Sequence, residues 1–334
     1  MATIEDGGPM SSMFDERAMR RAMELAAIGR GTSSPNPWVG AVLEPGSFEG
    51  ATRPPGGPHA ERVALDAAAE QARGATLYVT LEPCAHTGRT SPCVDAILAA
   101  GVRRVVVGIE DPDPRVRGEG IRRLRDAGVD VEVGVCAGEV RDQLGPYLKH
   151  RTTGRPFTVL KLAVSLDGRI ASPDGASRWI TGDEARADAH RLRAESDAVL
   201  VGAGTVKTDD PELTVRLVPT ARQPLRVVLG HAPAGARCQP ALELGGDLGD
   251  VLDELGRRDV LQLLVEGGAH VAGAFHRAGL VDRYIFYIAP ALFGGDDARP
   301  MFAGAGAATM ADVWRGHIVS VERLGDDLRV ELVP

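Results

Sequence analysis

Cysteine is scarce in this chain, four residues in 334. That excludes a disulfide-stapled scaffold and leaves each thiol to be explained by packing or by metal binding. An excess of basic charge is missing as well: 38 Lys and Arg against 46 Asp and Glu leave a formal net charge of −8. Broad nucleic-acid binding is therefore not expected, although one local basic pocket for a phosphate remains possible. Long apolar runs are absent. The most apolar stretches, residues 105–109 and 261–265, have the length of strands, and no segment is expected to span or anchor in a bilayer. The N-terminus lacks the basic region and apolar core of a secretion signal, residues 1–11 read as a loose polar leader, and a cytoplasmic location is expected. What is present is a composition of 44% hydrophobic and 25% charged residues, that of a globular protein, in a chain long enough for two domains of about 150 residues each.

The residues that carry chemistry cluster in three units: His59-Ala60-Glu61, Glu82-Pro83-Cys84 and Pro92-Cys93. One imidazole and two thiolates make three ligands for a zinc ion and leave a fourth tetrahedral position for water, whereas a structural zinc site is closed by four protein ligands. Glu61 stands two residues after His59 at the start of an expected helix. There it is placed to move protons to and from a water whose pKa the metal brings down to about 7. This is the equipment of a hydrolytic deaminase acting on an amine-bearing ring carbon. The ordinary second half of the signature is a short Cys-x-x-Cys, but here eight residues, Ala85-His86-Thr87-Gly88-Arg89-Thr90-Ser91-Pro92, separate the cysteines. Cys136 and Cys238 lie outside any ligand pattern and read as packing residues.

Periodicity gives the first half an alternation of helices (13–30, 60–72, 92–100, 120–127) and strands (38–44, 75–81, 103–109, 130–135), which implies a three-layer α/β fold. Cys93 then lies in the first turn of a helix, where free N–H groups favour a thiolate. The polar run 149–156 marks a boundary between domains at 12–146 and 155–334. In the second half strands are expected at 157–165, 198–202, 225–229, 260–265 and 283–289, and helices at 247–257 and 269–278. Thr181-Gly182-Asp183-Glu184 reads as a capping box opening a helix to about residue 195. Residues 318–324 and 328–332 read as a closing hairpin.

The excursion from Cys84 to Cys93 resembles the deaminase half of the bifunctional riboflavin-biosynthesis deaminase/reductase family. There the loop between the cysteines carries His and Gly-Arg/Lys-Thr elements that hold a phosphoribosyl-pyrimidine, and a Pro-Asn-Pro turn, here Pro35-Asn36-Pro37, faces the same pocket. The resemblance implies a cytidine-deaminase-like domain with one Zn2+ on His59, Cys84 and Cys93, catalysis by Glu61, and substrate contacts from Asn36, His86 and Arg89. Only Pro45-Gly46-Ser47-Phe48-Glu49-Gly50 precedes the next family element, so the second strand of the sheet is expected to be clipped.

No Gly-x-Gly-x-x-Gly in a strand-to-helix context occurs in the second half, so a conventional dinucleotide fold is not expected. Two short Gly elements follow strands, Val201-Gly202-Ala203-Gly204-Thr205 and Glu266-Gly267-Gly268; each alone reads as a tight turn. Together with Lys161-Leu162-Ala163-Val164-Ser165-Leu166-Asp167-Gly168, Ser177-Arg178-Trp179-Ile180 and the stretch 205–216, they resemble the reductase half of the same family, which has a dihydrofolate-reductase-like fold and uses NADPH. The resemblance implies cofactor contacts from Ala163, Trp179, Thr205, Asp209, Gly268, Ala269, His270, Val271, Ala272, Gly273 and Ala274. It implies substrate contacts from Ser177, Arg193, Leu213, Arg216 and Glu266, with Arg216 on the substrate phosphate. Two departures stand out. Gly230-His231 replaces the family's Asp-Ser, and between residues 238 and 249 a strand of the reductase sheet is nearly absent. The implied function is deamination of a phosphoribosylamino-diaminopyrimidine followed by NADPH-dependent reduction of its ribosyl to a ribityl chain, in a homo-oligomer with small-molecule partners. The rival readings are a deaminase with a degenerate or recruited reductase half, a nucleic-acid base deaminase, and a zinc-stabilised binding module. The last leaves Glu61 unexplained.

Overall fold

A computed structural model describes residues 13–86, 91–114 and 116–334. The chain divides into two compact units between Thr152 and Thr153.

The first unit runs α1 (Met13–Gly29), β1 (Gly40–Glu44), β2 (Phe48–Ala51), α2 (Ala60–Ala68, followed by a 3-10 turn at Ala69–Ala72), β3 (Thr76–Leu81), α3 (Cys93–Ala100), β4 (Arg104–Ile109), α4 (Glu119–Asp126), β5 (Asp130–Val133) and α5 (Ala137–Thr153). Its sheet has the order β2-β1-β3-β4-β5, with β3, β4 and β5 parallel and β1 antiparallel to both its neighbours. The unbroken apolar run Val105-Val106-Val107, all without exposure, is what a parallel strand covered on both faces requires. Gly40 and Gly50 set how closely the helices approach. A Cβ on Gly40 would lie 1.8 Å from the Ala22 carbonyl of α1, and one on Gly50 2.0 Å from the Ala60 carbonyl of α2. Gly50 pairs with Ala41, the residue after Gly40, and adjacent residues point to opposite faces. The two helices therefore cover opposite sides of the sheet, giving three layers. The second strand is not lost: residues 45–47 make a tight hairpin turn that leads straight into β2.

Helix α5 has no counterpart in the sequence reading, and it takes in residues 149–153 of the polar run that reads as a linker. Its buried residues Val140, Leu144 and Tyr147 follow the spacing of one helical face, masked in the sequence by Pro146 and the charges around it.

The second unit contains β6 (Phe157–Ser165), β7 (Arg169–Ala171), α6 (Asp183–Glu195), β8 (Ala198–Gly202), α7 (Ala203–Asp209), β9 (Leu225–Leu229), β10 (Leu242–Leu244), α8 (Leu248–Arg257), β11 (Gln262–Val265), α9 (Ala269–Arg277), β12 (Arg283–Ala289), β13 (Arg299–Pro300), β14 (His317–Leu324) and β15 (Asp327–Val333). An eight-stranded sheet of order β10-β9-β8-β11-β6-β12-β15-β14 is parallel from β10 to β12 and closes with the antiparallel β14–β15 hairpin. On one face Leu160, Leu200, Leu263 and Val265 pack against Leu252 and Leu255 of α8 and Phe275 of α9. On the other, Val159, Val199, Val228 and Leu264 pack against Ala185, Ala189 and Leu192 of α6.

Three expectations need correction here. The strand thought nearly absent exists as the three-residue β10, paired in parallel with β9 at the sheet edge. The 201–205 segment is not a tight turn, because β8 runs directly into α7. The capping box does not form: the N-cap of α6 is Gly182, without a side-chain cap, and its N–H donates instead to Asp327 Oδ2 at 2.7 Å.

Candidate active sites

In the first unit, His59 is the N-cap of α2, Cys93 opens α3, and Cys84 lies just beyond the end of β3, so two helix starts and the end of the central strand deliver all three. His59 Nδ1 is 3.6 Å from Cys84 Sγ and 3.3 Å from Cys93 Sγ, and the Cys93 N–H donates to Cys84 Sγ at 3.4 Å. Donors held about 2.0–2.3 Å from a tetrahedral zinc are separated by about 3.5 Å, so the set fits that ion in chemistry and spacing. It is also the one candidate metal cluster among the described residues. The Cys84 thiol is pulled down, first by its hydrogen bond with the Cys93 thiol and then, against burial, by His59 and the Cys93 N–H. Cys93 is pushed up by the same thiol pair and by burial. Glu61, in the first turn of α2, is 3% exposed, and burial raises its carboxyl.

His59, Glu61 and Cys84 line a cavity of about 320 Å³ together with Asn36 and His86, and Cys93 is buried beside them. Arg89 lies outside the described residues. The sequence reading missed a second wall formed by Asp111, Asp113, Tyr147 and Arg151. Burial is the first cause that pushes Asp111 up to about 6, and the Tyr147 hydroxyl donates to its carboxylate at 3.0 Å. Arg151 donates to the Pro35 carbonyl at 3.3 Å, and its guanidinium lies 5.2 Å from the centre of the Tyr147 ring. Asp111-Pro112-Asp113-Pro114, between a strand and a helix, was a readable signal. Tyr147 and Arg151 had none once α5 was missed. Glu82 has a different task. It is buried, and its carboxylate accepts the backbone N–H groups of Asp111, Gly118, Gly120 and Ile121 at 3.1, 3.0, 2.9 and 3.2 Å. That fastens the acidic wall to the strand end carrying Cys84.

In the second unit two cavities of about 580 and 820 Å³ share Lys161, Ala163, Ser177, Thr205, Asp209 and Glu266. The smaller is walled by the ends of β8 and β11, neighbours in the sheet, with Gly204, Gly268, Ala269, His270 and Val271. A Cβ on Gly204 would meet nothing, and the Gly268 N–H donates to Thr205 Oγ1 at 3.2 Å. The open Gly204 in the first turn of α7 and the N-terminus of α9 at Gly268, both at the carboxyl ends of parallel strands, suit a dinucleotide phosphate. The donor set therefore fits NADPH. Ala272 and Gly273 are buried further along α9, and neither they nor Ala274 reach the cavity wall. His231, at the departure from the family pattern, is exposed, with Nδ1 2.9 Å from Glu243.

The larger cavity gathers Trp179, Arg193, Leu213 and Arg216. Trp179 is not core: it is 69% exposed, with the Arg186 guanidinium 4.5 Å from its ring centre. Arg193 is not paired on its own helix surface but grips Glu266 through two bonds, 2.5 and 2.8 Å. Burial alone would raise the Glu266 carboxyl; the charge and bonds of Arg193, with Lys161 behind them, hold it at about 2. Burial lowers the Lys161 ammonium, which lies 4.0 Å from Glu266. His190 is lowered to about 4, first by burial and then by Arg193 and Arg216, and its Nδ1 accepts the Arg216 N–H at 3.0 Å. Neither Lys161 nor His190 was singled out from the sequence.

Comparison with known proteins matches residues 12–109 to the cytidine and deoxycytidylate deaminase zinc-binding region and residues 156–330 to the RibD C-terminal domain. The riboflavin biosynthesis protein RibD of Escherichia coli is 41% identical, covering 96% of this chain and 100% of that protein. Its Aquifex aeolicus counterpart is 39% identical over 94% and 97%. Among solved structures, RibD of Acinetobacter baumannii superposes with a TM-score of 0.89 at 40% identity, covering 96% and 98% of the two chains. The diaminohydroxyphosphoribosylaminopyrimidine deaminase/5-amino-6-(5-phosphoribosylamino)uracil reductase of Thermotoga maritima gives 0.86 at 37%, with the same coverage.

Proposed function

Because the chain belongs to the RibD family of bifunctional riboflavin-biosynthesis enzymes, we propose how its own residues divide the two reactions. It is a zinc-dependent deaminase fused to an NADPH-dependent reductase. It removes ammonia from a phosphoribosylamino-diaminopyrimidine and then reduces the ribosyl to a ribityl chain. The observation that carries the deaminase assignment is the cluster of His59, Cys84 and Cys93 at a cavity that His59 and Cys84 line together with a buried carboxyl, Glu61.

In that cavity His59, Cys84 and Cys93 hold the zinc, which when bound supplies Lewis acidity toward water. Glu61 takes a proton from the attacking water and returns it to the departing amine. Its burial suits both halves of that task, because a carboxyl that burial raises takes up a proton more readily than a solvated one. Asn36, His86 and Arg89 hold the substrate, and Asp111, Asp113 and Arg151 offer the opposing polar wall. We end the deaminase domain at Thr152 rather than at residue 146, since α5 carries Tyr147 and Arg151 into this cavity.

In the second unit Gly268, Ala269, His270 and Val271 cradle the cofactor phosphates, with Ala163, Trp179, Thr205 and Asp209 along the cofactor. NADPH, when bound, supplies the hydride. Ser177, Leu213 and Arg216 hold the sugar phosphate end of the substrate. Glu266, fixed by Arg193, accepts hydrogen bonds from the ring, and Lys161 donates one. Positioning supplies much of the rate of such a step. The short β10 leaves the cofactor cavity in place.

No described helix is long and apolar enough to cross a membrane. We place the enzyme in the cytoplasm, which keeps the ligand thiols reduced, with small molecules rather than nucleic acid as its partners. We expect a homo-oligomer, because β14 is a sheet edge that exposes Ile318 and Val321 by 63% and 57%; light scattering of the purified chain checks this. A mass-resolved assay on the phosphorylated diaminopyrimidine tests the whole assignment. A one-unit gain in mass without NADPH, and a further two with it, is the expected result. No deamination in the zinc-loaded protein overturns it.

A further inference from the structure

Glu212, in the connection after α7, carries a guanidinium on each of its carboxylate oxygens. Arg216 meets Oε2 at 2.6 Å, and Arg237 meets Oε1. All three side chains line the larger cavity of the second unit. Arg237 comes from the segment between β9 and β10, where this chain departs from its family, and it is fastened at its base. Its backbone N–H donates to Asp210 Oδ1 at 2.8 Å. Its neighbours Ala236 and Cys238 are buried in the cluster that also holds Leu213. The side chain itself is half-exposed, 54%, and free to follow a ligand.

The surroundings favour an anion with more charge than one carboxylate. Arg193 is committed to Glu266, and Arg186 is paired with Asp183. Arg178 donates to the Asp209 carbonyl and lies near enough, with Arg193, to lower the Arg216 guanidinium after burial has done so first. Glu212 thus offers one negative charge to two guanidiniums, with a third nearby. A phosphate monoester brings up to about two charges and three acceptor oxygens, and guanidinium forks match it bidentately.

We propose that Arg237 is a second phosphate-binding residue of the reductase cavity, acting beside Arg216, and that the Glu212 carboxylate stands in for the phosphate, pairing with both guanidiniums until substrate displaces it. The proposal rests on the reading of this cavity as the substrate site with Arg216 at the phosphate. Exposed ion pairs contribute little to folding, so substitutions at Glu212 and Arg237 leave a folded domain, which NADPH binding verifies.

The test measures reductase KM for the deaminated substrate and for the same compound stripped of its phosphate, in the full-length parent, Arg237→Ala, Arg237→Lys, Arg216→Ala and Glu212→Gln. The preference for the phosphorylated form should fall about tenfold in Arg237→Ala, the loss of one charge-assisted bond, and be partly restored in Arg237→Lys. Inorganic phosphate should inhibit Glu212→Gln about threefold more strongly than the parent, because its competitor is gone. An undiminished preference in Arg237→Ala alongside a reduced one in Arg216→Ala overturns the role of Arg237 while leaving the site assignment standing. An undiminished preference in both variants overturns the site assignment itself. Weaker inhibition of Glu212→Gln by phosphate shows that Glu212 aligns the arginines rather than competing for them, and overturns that half of the proposal.

Discussion

Arg193 and Glu266 meet as a bidentate ion pair, 2.5 and 2.8 Å, across 73 residues of sequence. The arginine comes from α6 and the glutamate from the end of β11, so the pair ties a surface helix to the central strand on which the reductase cavity opens. Arg193 also donates to the Thr214 carbonyl at 3.1 Å, and one turn earlier on the same helix His190 accepts the Arg216 N–H. One helix therefore fixes both the carboxylate that faces the substrate ring and the segment that presents Arg216.

Removing one member of such a pair should be costly. Arg193→Ala leaves Glu266 buried beside Lys161 alone, and breaking a buried pair typically costs about 3–5 kcal/mol. Urea unfolding of the zinc-loaded protein should show the second unit losing stability of that order. Arg193→Lys, which keeps the charge but not the fork, should recover only part of it. A loss within the range of exposed pairs, under about 1 kcal/mol, would contradict the burial argument.

His190 gives a pH dependence. Its folded value of about 4 lies below the ordinary 6.5, so between those values the unfolded chain binds a proton that the native chain refuses. Stability from this group is complete above about pH 6.5 and declines as pH falls toward 4. The groups facing it, Arg193, Arg216 and Lys161, all oppose a charged imidazole, and only Glu266 favours one. His190→Asn keeps an acceptor for the Arg216 N–H but has nothing to titrate. The stability advantage of the parent over this variant should shrink as pH falls through that window, and an advantage constant with pH would refute the assignment.

The zinc site was legible because its chemistry is local: three ligands and a carboxyl lie within 35 positions on strand and helix ends that periodicity places well. The opposing wall was not. Asp111 and Asp113 acquire meaning only when Glu82 pins their backbone beside Cys84, and Arg151 stood in a run whose polarity hid a helix. In the second unit the strands were readable from their apolar runs, but α7 was not. Seven residues following Gly202 without a side-chain cap carry little helical signature. The capping box failed for a tertiary reason, since Asp327, on the hairpin far along the chain, accepts the Gly182 N–H and the N-cap falls at Gly182, one residue past the Thr181 hydroxyl. The Arg193–Glu266 pair was not legible at all, because spacing alone never points to a residue so far away.

Cys84→Ser should lose zinc and deamination together. The hydroxyl is a poor substitute for a thiolate, and three ligands with one weakened hold the ion poorly. Elemental analysis of the purified variant should find well under one zinc per chain, against one in the parent. Full zinc in the variant would remove Cys84 from the ligand set.

Glu61→Gln separates binding the metal from using it. The amide has nearly the shape of the carboxyl, and Glu61 is not one of the three metal donors His59, Cys84 and Cys93, so zinc content should stay at the parent level. What the amide cannot do is take a proton from water and hand it to the departing amine. Positioned acid–base groups contribute about 10²–10⁴-fold, so deamination should fall by at least the lower of these. Reduction of deaminated substrate, supplied directly with NADPH, depends on the second unit and should persist. Deamination within a few-fold of the parent rate would place the proton transfer on another group, with Asp111, which burial lifts to about 6 on the opposite wall, the next residue to replace.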